Sequence, residues 1–257
     1  MKNYLVGAVR PVQKIWGYWR GDHVDPAFLE TMQKYNGMYD CSRLSARKFL
    51  AGDWEEIKFT APVLDARMYQ IAQWYAIKEL WFREPCNILC MGADTLFIKP
   101  TEIFGRYNKM MMFNYTDPRY HKEFEHYFND DIRYYPATMD PKVWDIGEQK
   151  MEGWFEHSEA NWGWGQLIHN YQMWSQGVSV NEVLDPTVAF QMLGSKISDT
   201  EAWNNCPIST AKILHFHGSR DADNRLSVMT ELVKQFVLDK PVDQVPPKLS
   251  GIITLNI

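Results

Sequence analysis

The segment from Cys86 to Pro100 constrains the fold more than any other part of this chain. It contains an apolar run of strand length, a small turn that carries Asp94, and a second apolar step that ends at Lys99-Pro100. Such a run predicts a buried strand, and open α/β sheets bind ligands just beyond the carboxyl ends of their strands. The segment therefore predicts an α/β fold in which Asp94 faces a crevice. A strand-turn-strand whose Asp94 merely faces solvent is the alternative that this segment leaves open.

Composition narrows the class of protein. The chain has 257 residues, of which 46% are hydrophobic, which is enough for one sizeable domain with a real core. Its formal net charge is -5 and it has no long basic run, so a tightly held nucleic acid is not expected. No apolar run approaches the roughly 18 residues of a membrane span, and the first residues lack the apolar core of a signal peptide. We therefore expect a cytoplasmic protein whose four cysteines are reduced, buried and unreactive.

Helix and strand patterns alternate along the chain, as they do in α/β proteins. The clearest is a helix from Leu64 to Phe82, where apolar residues recur at helical spacing before Pro85. The patterns also predict helices at 26–35, 42–50, 101–104, 165–176 and 224–238, strands at 13–19, 39–40, 86–91, 109–114 and 211–217, and a loop at 52–62.

The turn that carries Asp94 resembles a known metal-binding motif. Residues 92–100, Gly-Ala-Asp-Thr-Leu-Phe-Ile-Lys-Pro, resemble the Asp-x-Asp segment of GT-A glycosyltransferases such as the capsular-polysaccharide and mannosyltransferase-like enzymes. That segment often reads Leu-Asp-Ala-Asp-Thr-Leu-Phe-x-Lys-Pro. The resemblance implies that Asp94 binds Mn²⁺ or Mg²⁺ and that Ala93 lies in the donor site. Gly92 replaces the first Asp, which in the family contacts ribose and, through water, the metal, so a metal-independent or inactive descendant stays open.

Two earlier segments resemble the donor-binding parts of the same family. Residues 12–21 resemble its first strand, which ends beside the nucleobase. This implies a base-binding group made of Trp16, Tyr18, Trp19 and Arg20. Residues 64–67 resemble its Ser-Asp-x-x-Arg helix start with one residue fewer, which implies Asp65 on the donor sugar and Arg67 on the sugar or phosphate. An ordinary buried strand and an ordinary capping Asp are the alternatives.

The segment 215–220, His-Phe-His-Gly-Ser-Arg, resembles the His-x-x-Gly-x-Lys segment that follows the last core strand in several GT-A families. The resemblance implies that His215 completes the metal shell and that Gly218 and Arg220 hold the diphosphate. A neutral imidazole can serve as a metal ligand. Because His215 and His217 alternate along the predicted strand, they point to opposite faces, and register favours His215 as the ligand. A histidine that simply packs in the core is the alternative.

The segment 159–166 resembles the acceptor-facing part of the family. Gln166 and Asn170 keep the family frame, but Gly165 replaces an Asp. A retaining enzyme could use Gln166 near the anomeric carbon, whereas an inverting enzyme needs a carboxylate base, for which Glu159 is the nearest candidate. A glycine-rich turn that packs two Trp rings is the alternative.

Together the matched segments imply a GT-A-like α/β fold, with a central mixed sheet and helices on both faces. We expect one catalytic domain over 1–240, an acceptor-side excursion at 115–160 that forms a helical hairpin or a lid, and a tail at 241–257. The implied reaction transfers a hexose from a UDP- or GDP-sugar to a hydroxyl of a saccharide or other acceptor, assisted by Mn²⁺ or Mg²⁺, with retention slightly preferred. Asp65, Gln166 and Glu159 are the catalytic candidates.

Two other functions stay open. A non-catalytic relic of the fold that binds a sugar nucleotide or a glycan would explain Gly92. A viral-type glycosyltransferase that modifies DNA bases would make nucleic acid an acceptor, with Arg43, Arg47 and Lys48 as a local basic rim. The acidic net charge argues against this second function.

Overall fold

The computed structural model of the protein describes residues 1–8, 19–20, 23–24, 26–60, 66–116, 123–156, 164–183, 189–193, 207–217, 222–237 and 249–254. Its strands are β1 (Lys2–Ala8), β2 (Trp19–Arg20), β3 (His23–Val24), β4 (Glu55–Thr60), β5 (Cys86–Met91), β6 (Thr95–Phe97), β7 (Met111–Thr116), β8 (Tyr127–Tyr135), β9 (Ala189–Leu193), β10 (Ile213–His217) and β11 (Leu249–Thr254). Its α-helices are α1 (Pro26–Phe49), α2 (Ala66–Arg83), α3 (Lys142–Glu156), α4 (Trp164–Trp174), α5 (Val180–Val183) and α6 (Ala222–Phe236).

A mixed sheet of six strands forms the centre of the described part of the chain. Its order is β11-β4-β1-β5-β8-β7. β8 runs antiparallel to both of its neighbours, and the other adjacent pairs are parallel. Every residue of β5 is buried, as its continuous apolar run predicts. The carboxyl ends of β11, β4, β1 and β5 therefore share one edge of the sheet.

Helices cover both faces of this sheet. On one face, the Tyr39 hydroxyl of α1 donates a hydrogen bond to Glu56 Oε1 of β4 (2.6 Å), and the Tyr39 ring fills the space beside Gly7 of β1. On the other face, Cys86 Sγ of β5 lies 3.8 Å from the carbonyl oxygen of Leu80 in α2. Gly7 of β1 pairs with Met91 of β5, so these two residues point to the same face of the sheet. Met91 follows Cys86 by an odd number of residues, and side chains alternate along a strand, so Cys86 points to the opposite face. The predicted α/β class is confirmed.

A smaller sheet, in the order β6-β10-β9, packs beside α1 and α6. β10 is antiparallel to β6 and parallel to β9. Its apolar side chains form a second core cluster with the two helices, which includes Met38, Leu96, Leu214, Phe216 and Met229. Because β6 follows β5 after a short turn and pairs with β10, this small sheet places β10 near the carboxyl end of β5.

Several predicted elements are confirmed. β5 has the predicted bounds, and β7 and β10 lie within a few residues of theirs. The helices α2, α4 and α6 also match the predicted ones. The strand predicted at 13–19 lies almost entirely outside the described residues, apart from Trp19 in β2. Strand β1, which precedes it, was not predicted.

The predicted division of residues 26–50 into two helices and a strand at 39–40 is wrong, because α1 is continuous. Gly37 suggested a break, but it serves close helix packing. A Cβ at this position would lie 3.1 Å from Leu226 Cδ1 of α6. The glycine therefore lets α1 and α6 approach each other without interrupting the helix.

The loop predicted at 52–62 is also wrong, because β4 occupies most of it. The charged residues of this strand are not typical of a buried strand, so the sequence did not indicate it. Glu56 is nevertheless buried, and its carboxylate accepts hydrogen bonds from the Tyr39 hydroxyl and from Arg47 Nη2 (2.8 Å). The helix predicted at 101–104 is absent from the described structure. Instead, the Thr101 N–H donates to the Phe49 carbonyl (2.8 Å), which ties this segment to the end of α1.

The region 115–160 contributes to the main sheet, which differs from the predicted helical hairpin or lid. β8 is an interior strand, and α3 packs against α4. A run of polar residues at 129–131 concealed the strand in the sequence. Within the predicted tail at 241–257, β11 pairs with β4 at the edge of the sheet.

Candidate metal centre

Asp94 lies in the short turn that joins β5 to β6. Its carbonyl accepts a hydrogen bond from the Phe216 N–H of β10 (2.9 Å). Antiparallel pairing of β6 with β10 sets Thr95 opposite His215. This register brings His215 Nε2 to 3.7 Å from Asp94 Oδ1. Two residues that the sequence singled out as metal ligands thus lie together.

Asp131 of β8 adds a second carboxylate. Between the pairs Met112–Arg133 and Asn114–Asn129, β8 contains more residues than β7, so β8 bulges around Asp131. Bulges re-aim side chains and are common beside active sites. Here Asp131 Oδ2 lies 2.8 Å from His215 Nε2.

The three side chains fit a divalent cation. Their ligand atoms all lie within 4.8 Å of one another. Carboxylate oxygens suit Mg²⁺ and Mn²⁺, and imidazole is a common metal ligand. An octahedral Mg²⁺ with bonds of about 2.1 Å holds neighbouring donors about 3 Å apart. The distance from His215 Nε2 to Asp131 Oδ2 (2.8 Å) is close to that spacing, whereas the distance to Asp94 Oδ1 (3.7 Å) is longer than it.

Arg225 of α6 supplies a cation on the far side of Asp94. Its Nη1 donates to Asp94 Oδ2 (2.9 Å) and to the Phe216 carbonyl (3.2 Å). Asp94 and Asp131 together carry two negative charges against the one positive charge of Arg225. With His215 neutral, the cluster therefore has a surplus negative charge, which a divalent cation would reverse.

The local environment perturbs both predicted ligands. Burial and the Asp131 carboxylate raise the pKa of Asp94, against the opposing effects of His215 and Arg225. Burial by itself would lower the pKa of His215, but the carboxylates of Asp131 and Asp94 outweigh it and raise that pKa. Cation binding therefore competes with a proton that the two carboxylates help to hold on His215.

The polar face of α4 holds β8 beside this cluster. Asn170 Oδ1 accepts from the Phe128 N–H (2.9 Å), and its Nδ2 donates to the Phe128 carbonyl (2.7 Å). Asn129 Nδ2 lies 3.5 Å from Gln166 Oε1. Asn129 Oδ1 in turn accepts from the Asp131 N–H (2.8 Å). Contacts therefore run from α4 through Asn129 to the backbone of Asp131.

The remaining predicted site residues fall into three groups. Gln166 is half-buried on α4, and Ala93 lies in the turn beside Asp94. The backbones of Trp19, Arg20 and Arg67 belong to β2 and α2, but the structure does not describe their side chains. The following lie outside the described residues: Trp16, Tyr18, Asp65, Glu159, Gly218 and Arg220.

Sequence reasoning missed Asp131 and Arg225. Aromatic and β-branched residues flank the run Asn129-Asp130-Asp131 on both sides, a pattern typical of a strand interrupted by a bulge. Arg225 lies in the early part of a helix that was itself predicted. No local signal relates this arginine to Asp94, because only the packing of α6 beside β10 brings the two together.

No protein-family model and no curated protein matches this chain. None of the helices in the described residues combines the length and the apolar character that crossing a bilayer requires. The functional interpretation therefore depends on the geometry of the cluster and on the motifs in the sequence.

Proposed function

We propose that this protein is a metal-assisted glycosyltransferase, which moves a hexose from a nucleoside-diphosphate sugar to an acceptor hydroxyl. The observation that carries the proposal is the proximity of Asp94 and His215, which are distant in sequence and have Oδ1 and Nε2 atoms 3.7 Å apart. Each belongs to a segment that resembles a metal-binding part of GT-A enzymes.

The location of the cluster supports a ligand-binding role. It lies beyond the carboxyl end of β5, where open α/β sheets bind their ligands. The side chain of His215 is fully buried, whereas those of Asp94 and Asp131 are 15% and 36% exposed. The imidazole is thus fixed within the protein, while the two carboxylates are partly exposed, Asp131 more than Asp94.

In the proposed reaction, Asp94, Asp131 and His215 hold the cation. A bound cation would neutralise the negative charge that develops on the leaving nucleoside diphosphate. Arg225 orients Asp94 through Oδ2 and leaves Oδ1 toward His215.

The residues around the donor keep the roles that the resemblance implies. The nucleobase is bound by Trp16, Tyr18, Trp19 and Arg20, and the sugar by Asp65. The phosphates are bound by Arg67, Gly218 and Arg220, and Ala93 lies in the donor site. Retention of configuration is the proposed outcome, with Gln166 near the anomeric carbon, and Glu159 remains the base if the enzyme inverts.

Calorimetry tests this proposal. We expect the wild-type protein to bind Mn²⁺ and then to bind UDP or GDP more tightly with Mn²⁺ than without it. Asp94→Asn should weaken Mn²⁺ binding at least about tenfold, as losses in metal sites commonly do. Asp145→Asn is the matched control, because Asp145 is exposed on α3, on a different element from the cluster. Its Mn²⁺ affinity should equal that of the wild type.

Donor turnover distinguishes the transferase from a binding protein. With Mn²⁺ present, we expect slow hydrolysis of one nucleotide sugar among UDP-glucose, UDP-galactose and GDP-mannose. Tight binding without any hydrolysis or transfer would reject catalysis and favour a sugar-nucleotide-binding protein. The absence of heat with every nucleoside diphosphate, with and without metal, would defeat the proposed function as a whole.

A further inference from the structure

Gly92 and Asp131 share a space that admits only one side chain. A Cβ built on Gly92 would lie 3.0 Å from Asp131 Cβ, 3.0 Å from Asp131 Oδ1 and 3.0 Å from Asp94 Oδ1. These contacts are tighter than nine in ten that real Cβ atoms make, so a neighbouring side chain would have to shift by a few tenths of an ångström. A side chain at position 92 would therefore press against the side chains of Asp131 and Asp94.

Hydrogen bonds hold the backbones of both residues in place. The Gly92 N–H donates to the Asp131 carbonyl at 2.6 Å, so the turn after β5 is fixed to the bulge of β8. On the other side of the bulge, the Asp131 N–H donates to Asn129 Oδ1 at 2.8 Å. Asp131 is thus held by hydrogen bonds at both its carbonyl and its N–H.

The backbone conformation does not require glycine at position 92. Among the described glycines, only Gly52, Gly105 and Gly177 have a positive φ. Gly92 is not one of them, so its φ does not call for glycine. Space, rather than backbone conformation, is therefore the reason for glycine at this position.

We propose that Asp131 supplies the second carboxylate of the cation site from β8, and that Gly92 is required because Asp131 fills its side-chain space. Position 92 adjoins the same cluster, so a carboxylate placed there would reach the same cation if Asp131 were removed. This inference rests on the cation site of the proposed function, but not on the nucleotide or the sugar.

An exchange of the two residues tests the inference. Asp131→Gly should lower Mn²⁺ affinity at least about tenfold. Gly92→Asp should fail to raise affinity, because its Cβ meets Asp131 and its charge adds to two nearby carboxylates. The double variant Gly92→Asp with Asp131→Gly should recover most of the affinity that Asp131→Gly lost. Titration of the free Mn²⁺ signal by electron paramagnetic resonance measures all four proteins.

A second pair of variants tests the shared space without any metal. Gly92→Ala adds only the crowded Cβ, so it should lower the Tm by roughly 3–8 °C, as overpacking of a close-packed region does. In an Asp131→Gly background the same substitution should cost less stability, because only the contact with Asp94 Oδ1 remains. The Gly92→Ala with Asp131→Gly protein should still bind Mn²⁺ weakly, because it lacks the carboxylate.

The outcomes separate this inference from the proposed function. A double exchange variant that binds Mn²⁺ no better than Asp131→Gly would overturn the inference, and so would a Gly92→Ala protein as stable as the wild type. Mn²⁺ binding without any binding of a nucleoside diphosphate would overturn the proposed function alone. A wild-type protein that binds no Mn²⁺ would overturn both.

Discussion

Two adjacent residues of β8, Asp130 and Asp131, enter clusters with opposite electrostatic character. Asp130 Oδ2 lies 2.9 Å from His169 Nδ1, and Asp131 Oδ2 lies 2.8 Å from His215 Nε2. Both imidazoles are buried. The clusters therefore start from the same pair of residue types at almost the same distance.

The third charged partner makes the difference. Arg133 Nη1 lies 3.1 Å from Asp130 Oδ2, and burial together with this guanidinium lowers the pKa of His169 to about 4. The charged group next to the Asp131–His215 contact is instead a second carboxylate, that of Asp94. Although burial acts in the same direction as in the first cluster, the carboxylates of Asp131 and Asp94 raise the pKa of His215.

The comparison indicates which cluster is structural. The Asp130 cluster is electrically neutral without any ligand, since one guanidinium balances one carboxylate and the imidazole is uncharged. The Asp131 cluster has a second carboxylate in Asp94, so its two carboxylates outnumber the guanidinium of Arg225 whenever His215 is neutral. An Asp–His contact alone thus predicts no function, and the two clusters differ in the charged groups that surround that contact.

The largest expected effect comes from breaking the neutral cluster. Arg133→Met leaves Asp130 buried without its cation and should lower the free energy of unfolding by about 3–5 kcal/mol. Removing both charges, in Asp130→Asn with Arg133→Met, should recover much of that loss. The midpoint of guanidinium unfolding measures both. Arg83→Met is the control, because Arg83 is exposed at the end of α2 and its loss should change stability by no more than about 0.5 kcal/mol.

A smaller effect should appear in the pH dependence of stability. The folded pKa of His169 is about 4, below its ordinary 6.5, so the unfolded chain binds this proton first. The neutral imidazole therefore stabilises the fold fully above about pH 6.5, and that stabilisation, on the order of 3 kcal/mol, is lost as pH falls toward 4. Urea unfolding between pH 7 and pH 4 should show a steeper decline for the wild type than for His169→Asn. Equal slopes would contradict the neutral form of His169.

The regular parts of the fold were predictable because their signals are local. The apolar run of β5, the helical periodicity of α2 and the breaks at Pro85 and Pro100 all act over a few residues. The strand β4 and the continuous helix α1 were not predictable in this way. Their charged and glycine residues are explained only by partners elsewhere in the chain. Glu56 pairs with Arg47 and accepts a hydrogen bond from Tyr39, and Gly37 packs on Leu226.

The residues of the candidate site also differ in whether a local sequence signal identifies them. Asp94 and His215 could be singled out because each lies in a short motif next to a predicted strand. Asp131 could not, because its position depends on a bulge in a strand that was read as an excursion. Gly92 looked like a defect in the motif for the same reason, since its partner in space lies on β8.

The smallest expected effect concerns the link between α4 and the cation site. Asn129 Oδ1 accepts from the Asp131 N–H, so Asn129→Leu should let the bulge relax and lower Mn²⁺ affinity about tenfold, the lower end of second-shell effects. Asn129→Asp keeps the acceptor and should bind Mn²⁺ at least as tightly as the wild type. Asn87→Leu is the matched control: Asn87 is a buried amide near the amino end of β5, bonded to Asn3 and Ala137. It should lose stability but keep its Mn²⁺ affinity, because it lies at the opposite end of β5 from the cluster. Equal Mn²⁺ affinity in Asn129→Leu and the wild type would mean that the bulge positions Asp131 without this hydrogen bond.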